Sequence, residues 1–243
     1  MRDTDGDWKL LGSTNPYFGV LADERYLKGN ITPERIIEFY ATGETDINHT
    51  ISVLRLLEPT FQPESALDFG CGVGRLLAAM AKQVRRTHGV DISDGMLSIL
   101  TNNFNSMGIS NYELHREIPE IKVDWVNSLI VLQHIPPERG YGIIKQMWSI
   151  IDHGGALSIH FPIYRDRRHL QEIVRDVDVC TYDGNKVEVL RSDDASHPGA
   201  MSMYDYDFSR VISCFDLQDG ARMLVEHVDH GGCHGVKLYL FKQ

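Results

Sequence analysis

The 243 residues contain no apolar run long enough to span a membrane, which takes roughly 20 residues as a helix. The amino-terminal stretch MRDTDGDWK is acidic and lacks the apolar segment of a secretory signal. Cysteine is sparse. Cys71, Cys180, Cys214 and Cys233 form no CxxC pair, and their spacing suggests neither a zinc site nor a disulfide framework. A reduced, cytoplasmic protein is therefore expected. Positive charge is also short, with 24 Lys and Arg against 34 Asp and Glu, for a net charge of −10. Such a field repels phosphate backbones and argues against nucleic acid as a partner. The densest basic cluster, Arg165, Arg167, Arg168 and His169, is short and broken by Asp166, as in a solvated loop. Internal repeats and low-complexity tracts are absent, and nothing in the pattern sets an oligomeric state.

What is present suits one domain with elaborations. Hydrophobic residues make up 42% of the chain, enough for a sizeable core. Residues 1–60 read as an amino-terminal helical extension. Thr32-Pro33-Glu34 signals a helix start, with a stop near Gly43. Ile47, Ile51, Leu54 and Leu57 then recur at helical spacing. From residue 61 the pattern alternates. Ala66-Leu67 precedes a glycine-rich turn, and GRLLAAMAKQV reads as a helix. THGVDI is a short strand, Ser93-Asp94 starts another helix, and YELHRE is a third strand. VDWVNSLIVL is a β-branched run of the kind buried in a parallel sheet. Pro136-Pro137-Glu138 opens a helix expected to stop at Gly154-Gly155, before the strand ALSIHF. Strand–helix alternation of this kind predicts a doubly wound, Rossmann-like α/β sheet over residues 61–243. Residues about 162–200 read as an insertion, either a wall over the sheet's carboxyl edge or a surface loop. The tail VEHVDHGGCHGVKLYLF reads as two strands around Gly231-Gly232.

The glycine turn, LDFGCGVGRLL at residues 67–77, has glycine at 70, 72 and 74. Bare backbone between a strand and a helix lets N–H groups approach a ligand. A nicotinamide fingerprint, G-x-G-x-x-G/A, places a small residue at its sixth position, where this chain has Arg75. A Walker loop needs G-K-S/T, which is missing here. Asp91 lies about 20 residues beyond Gly70, where a carboxylate would accept both ribose hydroxyls. A helix cap is the plainer role, but Ser93 is better placed for it. Turn and carboxylate in register point to an adenosine-containing cofactor.

With LDFGCGVGRL, then GVDIS, then NSLIVLQHIPPE, the chain resembles class I S-adenosylmethionine-dependent methyltransferases, especially bacterial members acting on small molecules. The resemblance covers about residues 60–165. It implies a seven-stranded sheet whose last strand is antiparallel, with S-adenosylmethionine as cofactor and a small-molecule acceptor. Carried onto this chain, it implies that Asp68 and the loop Gly70, Cys71, Gly72 and Gly74 face the methionine part. It further implies that Asp91 holds the ribose, that Ile92 and Met96 line the adenine, and that Leu132 closes one side. Glu117 stands where such enzymes often contact the adenine amino group. Phe39, Tyr40 and Gly43 would cover the cofactor, although an apolar helix face explains Phe39 as well.

Methyl transfer to a hydroxyl or an ammonium also needs a proton acceptor. His134, directly after the fourth strand, is the candidate base; shaping the turn before Pro136-Pro137 is its alternative role. Met203, Tyr204 and Tyr206 are candidate acceptor-pocket residues, with core packing as the alternative. His227, Asp229, His230, Cys233 and His234 crowd the tail hairpin without a standard ligand spacing, so no metal is expected there, and His230 or His234 is read as a turn-stabilising residue or an acceptor contact. Two other readings stay open: displacement elsewhere on the sulfonium, releasing methylthioadenosine, and cofactor binding without catalysis. NAD chemistry is disfavoured by Arg75.

Overall fold

A computed structural model describes residues 3–166, 168, 178–182, 187–191, 201–217 and 221–242. Three amino-terminal helices, α1 (Thr4–Thr14), α2 (Pro16–Val20) and α3 (Pro33–Leu57), precede the sheet. The strands of the main sheet are β1 (Ser65–Phe69), β2 (Arg86–Val90), β3 (Tyr112–His115), β4 (Val123–Ser128), β5 (Ile151–Arg165), β8 (Met223–His230) and β9 (Cys233–Phe241). Their order is β3-β2-β1-β4-β5-β9-β8. The first five strands pair in parallel, and the last, β9, lies antiparallel between β5 and β8. The expected seven-stranded doubly wound sheet with an antiparallel last strand is thus present. β6 (Asp178–Tyr182) and β7 (Val187–Arg191) form a separate antiparallel pair.

Helices α4 (Arg75–Met80), α5 (Asp94–Met107), α6 (Pro137–Ser149) and α7 (Phe208–Ile212) flank the sheet among the described residues. Strand period places Ala66 and Leu67 of β1 on opposite faces of the sheet. On one face Leu67, Val126 and Ile159 meet Ile144 and Met147 of α6. On the other, Ala66, Trp125 and Tyr239 meet Leu76 of α4 and Ile47, Ile51 and Leu54 of α3. Local chemistry fixes the helix ends. Thr32 and Ser93 cap α3 and α5 by accepting the backbone N–H groups of Arg35 and Met96, and left-handed Gly108 ends α5. Among the described residues, no helix is long and apolar enough to cross a membrane.

Several boundaries differ from the sequence expectation. Helix α3 runs unbroken through Gly43. A Cβ there would sit 2.1 Å from the Arg75 carbonyl oxygen, so this glycine serves close packing of α3 on α4 and does not stop the helix. Helix α6 ends at Ser149, and β5 begins at Ile151, ahead of Gly154-Gly155. The glycine pair lies within β5, close to a register shift on the partner strand between Val123 and Trp125. Because β5 continues to Arg165, residues 162–165 belong to the sheet and not to an insertion. Much of the remaining 166–200 stretch, and with it the reading of that stretch as a wall or a surface loop, lies outside the described residues.

Candidate active site

Strand order reverses between β1 and β4, which opens a crevice beyond their carboxyl ends. A cavity of about 690 Å³ lies there, within the range of small-molecule sites. Its floor combines Phe69, Gly70 and Gly72 after β1, Asp91 and Ile92 after β2, and Leu129, Ile130 and Val131 after β4. Asp5 and Trp8 of α1, with Gly19 and Val20 of α2, form the cover.

The glycine turn is built for close approach. Gly70, Gly72 and Gly74 have φ of 76°, 53° and 88°, a left-handed region costly for L side chains. A Cβ on Gly70 would come within 2.4 Å of Val131, and one on Gly72 within 2.6 Å of Val20. The Gly72 N–H donates to Asp91 Oδ2 at 2.8 Å, and the Ser93 N–H donates to Oδ1 at 2.9 Å. Two backbone donors thus fix the carboxylate at the cavity wall. Burial nevertheless raises its pKa, the two hydrogen bonds opposing that shift. Ile92 and Met96 line the same wall, and Glu117 lies there between Arg116 and Ile118. Ile130 has φ 62°, a strained conformation for a β-branched residue, at the point where the chain leaves β4 for the cavity.

Other expected site residues stand behind this surface. Asp68 is buried within β1 and accepts from Asn127 Nδ2 at 2.9 Å. Asn127 in turn accepts from Ser158 Oγ, which accepts from the Trp125 indole N–H. Desolvation pushes the Asp68 pKa up to about 7. The Cys71 side chain is buried beside Gly89, and Leu132 is fully buried in the core under α6. Gly74 caps α4 against Phe104 and Leu100. Asp68, Cys71, Gly74 and Leu132 therefore shape the turn from behind and do not line the cavity.

His134 does line it, at the end of the 3-10 turn Leu132–His134. Its Nδ1 lies 2.9 Å from the Ser202 carbonyl oxygen, which can only accept, so Nδ1 carries the proton. Nε2 is then the acceptor and receives the Gln133 side-chain N–H at 2.9 Å. The Trp8 ring meets the imidazole edge-on at 4.8 Å between centroids. Burial lowers the His134 pKa to about 4, so the ring is neutral at pH 7.

Two expectations need correction. Phe39, Tyr40 and Gly43 do not cover the cavity. Phe39 packs between Tyr17 and Tyr26, while the Tyr40 hydroxyl donates to the Val73 carbonyl at 2.7 Å. The covering residues come instead from α1 and α2, whose short, mixed-polarity sequences carry no motif. Met203, Tyr204 and His230 are likewise absent from the lining. Tyr204 donates its backbone N–H to Gln133 O at 2.7 Å, and Tyr206 its hydroxyl to Ile135 O at 2.7 Å. Residues 202–206 are thus a strap that braces the His134 turn. His230 is exposed on edge strand β8, at the far side of the sheet from β3. The rest of the tail cluster is tied up internally. His234 meets His227 at 3.0 Å and Asp166 at 2.9 Å, and Arg168 bridges Asp166 and Asp229.

A family model described as "Methyltransferase domain" matches residues 66–155, the stretch holding the glycine turn, Asp91 and His134. A ubiquinone biosynthesis O-methyltransferase of Shewanella sp. (strain ANA-3) is 29% identical over 145 residues, 52% of this chain and 61% of that protein. Aklanonic acid methyltransferase DauC of Streptomyces sp. (strain C5) is 28% identical over 111 residues, 42% of this chain and 50% of that protein. The chain thus spans roughly half to three-fifths of the length of these curated relatives. Two solved structures share the fold at 16% identity and a TM-score of 0.59. One is an S-adenosylmethionine-dependent methyltransferase from Clostridium acetobutylicum, covering 93% of this chain and 98% of that one. The other is magnesium protoporphyrin IX methyltransferase from Synechocystis PCC 6803 with bound SAH, covering 94% and 98%. Glycine turn, cavity-wall carboxylate, strand order and matched stretch converge: residues 66–155 are similar to a methyltransferase domain, set in a sheet that has the fold of S-adenosylmethionine-dependent methyltransferases.

Proposed function

We propose that the protein transfers a methyl group from S-adenosylmethionine to an oxygen atom of a small molecule. The observation that carries this reading is the Asp91 carboxylate, fixed at the cavity wall by Gly72 N–H and Ser93 N–H, beside a turn bare of side chains. The residues present fit the cofactor. A carboxylate with unused lone pairs suits two ribose hydroxyls. A cradle that any Cβ at Gly70 or Gly72 would fill suits close backbone approach. Ile92 and Met96 give an apolar slot for adenine, with Glu117 beside it.

When bound, S-adenosylmethionine supplies an activated methyl group on a sulfonium. The chain must then align an acceptor and exclude water. Trp8, Ile130, Val131, Ile135 and Ile143 provide an apolar wall for that purpose. Proton removal from a hydroxyl acceptor falls to His134 Nε2, the unprotonated nitrogen of a residue that lines the cavity, once Gln133 yields its hydrogen bond. With a pKa near 4 it is a weak base, so positioning the acceptor is its competing role. Oxygen is favoured over nitrogen because a relative sharing the matched domain is named as an O-methyltransferase. Residues 1–60 act as a helical cap through α1 and α2, and the acidic surface and cysteine usage favour a small acceptor in the cytoplasm over nucleic acid.

His134→Ala and His134→Gln separate the two roles. A base gives a kcat that falls in both variants, by roughly a hundredfold or more, with cofactor affinity unchanged. Recovery of kcat in the glutamine variant assigns positioning instead. The choice between transfer and displacement rests on product identity: S-adenosylhomocysteine for the first, methylthioadenosine for the second.

A further inference from the structure

We propose that His88, Glu113 and His115 form a binding site for a divalent transition-metal ion of the zinc class, separate from the methyl-transfer cavity. The three residues sit on adjacent parallel strands, β2 and β3, with His88 paired to Glu113 and Val90 to His115. Tyr112 and Leu114 turn toward the core beneath α5, so strand period sends Glu113 and His115 to the opposite face, alongside His88.

The donor atoms already converge. His88 Nδ1 lies 3.1 Å from His115 Nε2 and 3.9 Å from Glu113 Oε2. One ligand atom from each residue falls within 4.8 Å of the other two. Tetrahedral zinc with bonds of about 2.0–2.1 Å separates its ligands by roughly 3.3 Å, close to the spacing found here. The donor set is two imidazoles and one carboxylate. It suits zinc, copper or nickel and lacks the all-oxygen shell that calcium or magnesium requires.

Burial grades usefully across the cluster: His88 is buried, His115 half-buried and Glu113 exposed. The inner ligand is therefore fixed by packing. Because β3 is the edge of the sheet, the outer side gives a metal its entry path and leaves a position for water. Arg86 is the nearest competitor. Its Nε is 4.0 Å from Glu113 Oε1, but the side chain is 68% exposed and free to swing into solvent. The His115 carbonyl accepts the Asp91 N–H at 3.1 Å, so a metal clamping β3 to β2 also braces the strand end that carries Asp91.

The test is calorimetric titration of the untagged full-length protein with Zn²⁺ alone, in parallel with Co²⁺ monitored by visible absorption. The wild type is expected to bind one ion per chain, with cobalt bands typical of low coordination number. Glu113→Gln and His115→Ala should each weaken binding by at least about tenfold, with circular dichroism verifying the fold. Glu113 is exposed, so its variant keeps the test valid if His115→Ala unfolds. His227→Ala should leave binding unchanged. No stoichiometric Zn²⁺ binding, or binding unaffected by Glu113→Gln, or binding lost in His227→Ala would overturn the assignment.

Discussion

Replacing Gly70 by alanine perturbs the turn at its tightest point. The backbone there has φ 76°, which costs an L residue about 1–2 kcal/mol. The new Cβ would also lie 2.4 Å and 2.5 Å from the two γ carbons of Val131, on the segment that walls the cavity. Overpacking of that kind costs a further 1–3 kcal/mol, roughly. Gly108 supplies the control, since its φ is 69° and a Cβ there would meet nothing within 4 Å. Gly108→Ala should therefore lose only the conformational part, about 1–2 kcal/mol, against about 2–5 kcal/mol for Gly70→Ala. Urea unfolding followed by circular dichroism measures both, with an unchanged m value showing that the denatured state is not the cause. Cofactor affinity should separate the pair further. Gly70→Ala displaces Val131 and should weaken binding by about tenfold or more, equivalent to ~1.4 kcal/mol. Gly108→Ala, at the far end of α5, should leave affinity unaltered. Equal stability losses in the two variants, or normal cofactor binding by Gly70→Ala, would show that the Val131 contact does not constrain the turn.

The Asp68 carboxyl, raised to about 7 in the folded state, releases its proton more readily when unfolded. Its contribution to stability is thus complete at acid pH and falls as pH rises from about 4 to about 7, by roughly 4 kcal/mol. Asp68→Asn keeps an oxygen for Asn127 and should flatten that slope in urea titrations across this window, ending more stable than wild type at pH 8. Ile130→Gly should relieve left-handed strain and stabilise the fold by about 1 kcal/mol, seen as a higher unfolding midpoint, while weakening acceptor KM through loss of a cavity wall. Arg139→Ala removes the 2.7 Å ion pair to Asp5 that joins α6 to α1 beside the cavity. Both side chains are partly exposed, so cofactor dissociation in stopped flow should quicken by no more than about fivefold, and less at high salt.

The core of the site was legible because its chemistry is local in sequence. Positive φ at Gly70 and Gly72 demands glycine, and the Asp91 carboxylate stands at a set distance from that turn, just after the second strand, so both show as residue type at fixed spacing. The cover was illegible for the opposite reason. Trp8 and Val20 reach the cavity only because α1 and α2 fold back over the sheet, and neither carries a pattern that marks it. Aromatic residues in α3 misled, since Phe39 and Tyr40 look the same in sequence whether they face a ligand or Tyr17 and Val73. Tyr204 and Tyr206 misled similarly: they brace the His134 turn through backbone carbonyls and backbone N–H groups, which sequence does not display. Gly43 and Gly154-Gly155 read as stops, yet a close helix contact and a strand irregularity use the same residue.

Asp91 and the glycine turn are proposed to hold S-adenosylmethionine. Calorimetric titration of the wild-type protein and of Asp91→Ala with S-adenosylmethionine, S-adenosylhomocysteine and NAD tests it most directly. The wild type should bind both S-adenosyl compounds at one per chain and ignore NAD, and Asp91→Ala should lose at least about tenfold in affinity while remaining folded. Absence of S-adenosyl binding by the wild type, or equal binding by Asp91→Ala, would contradict the account.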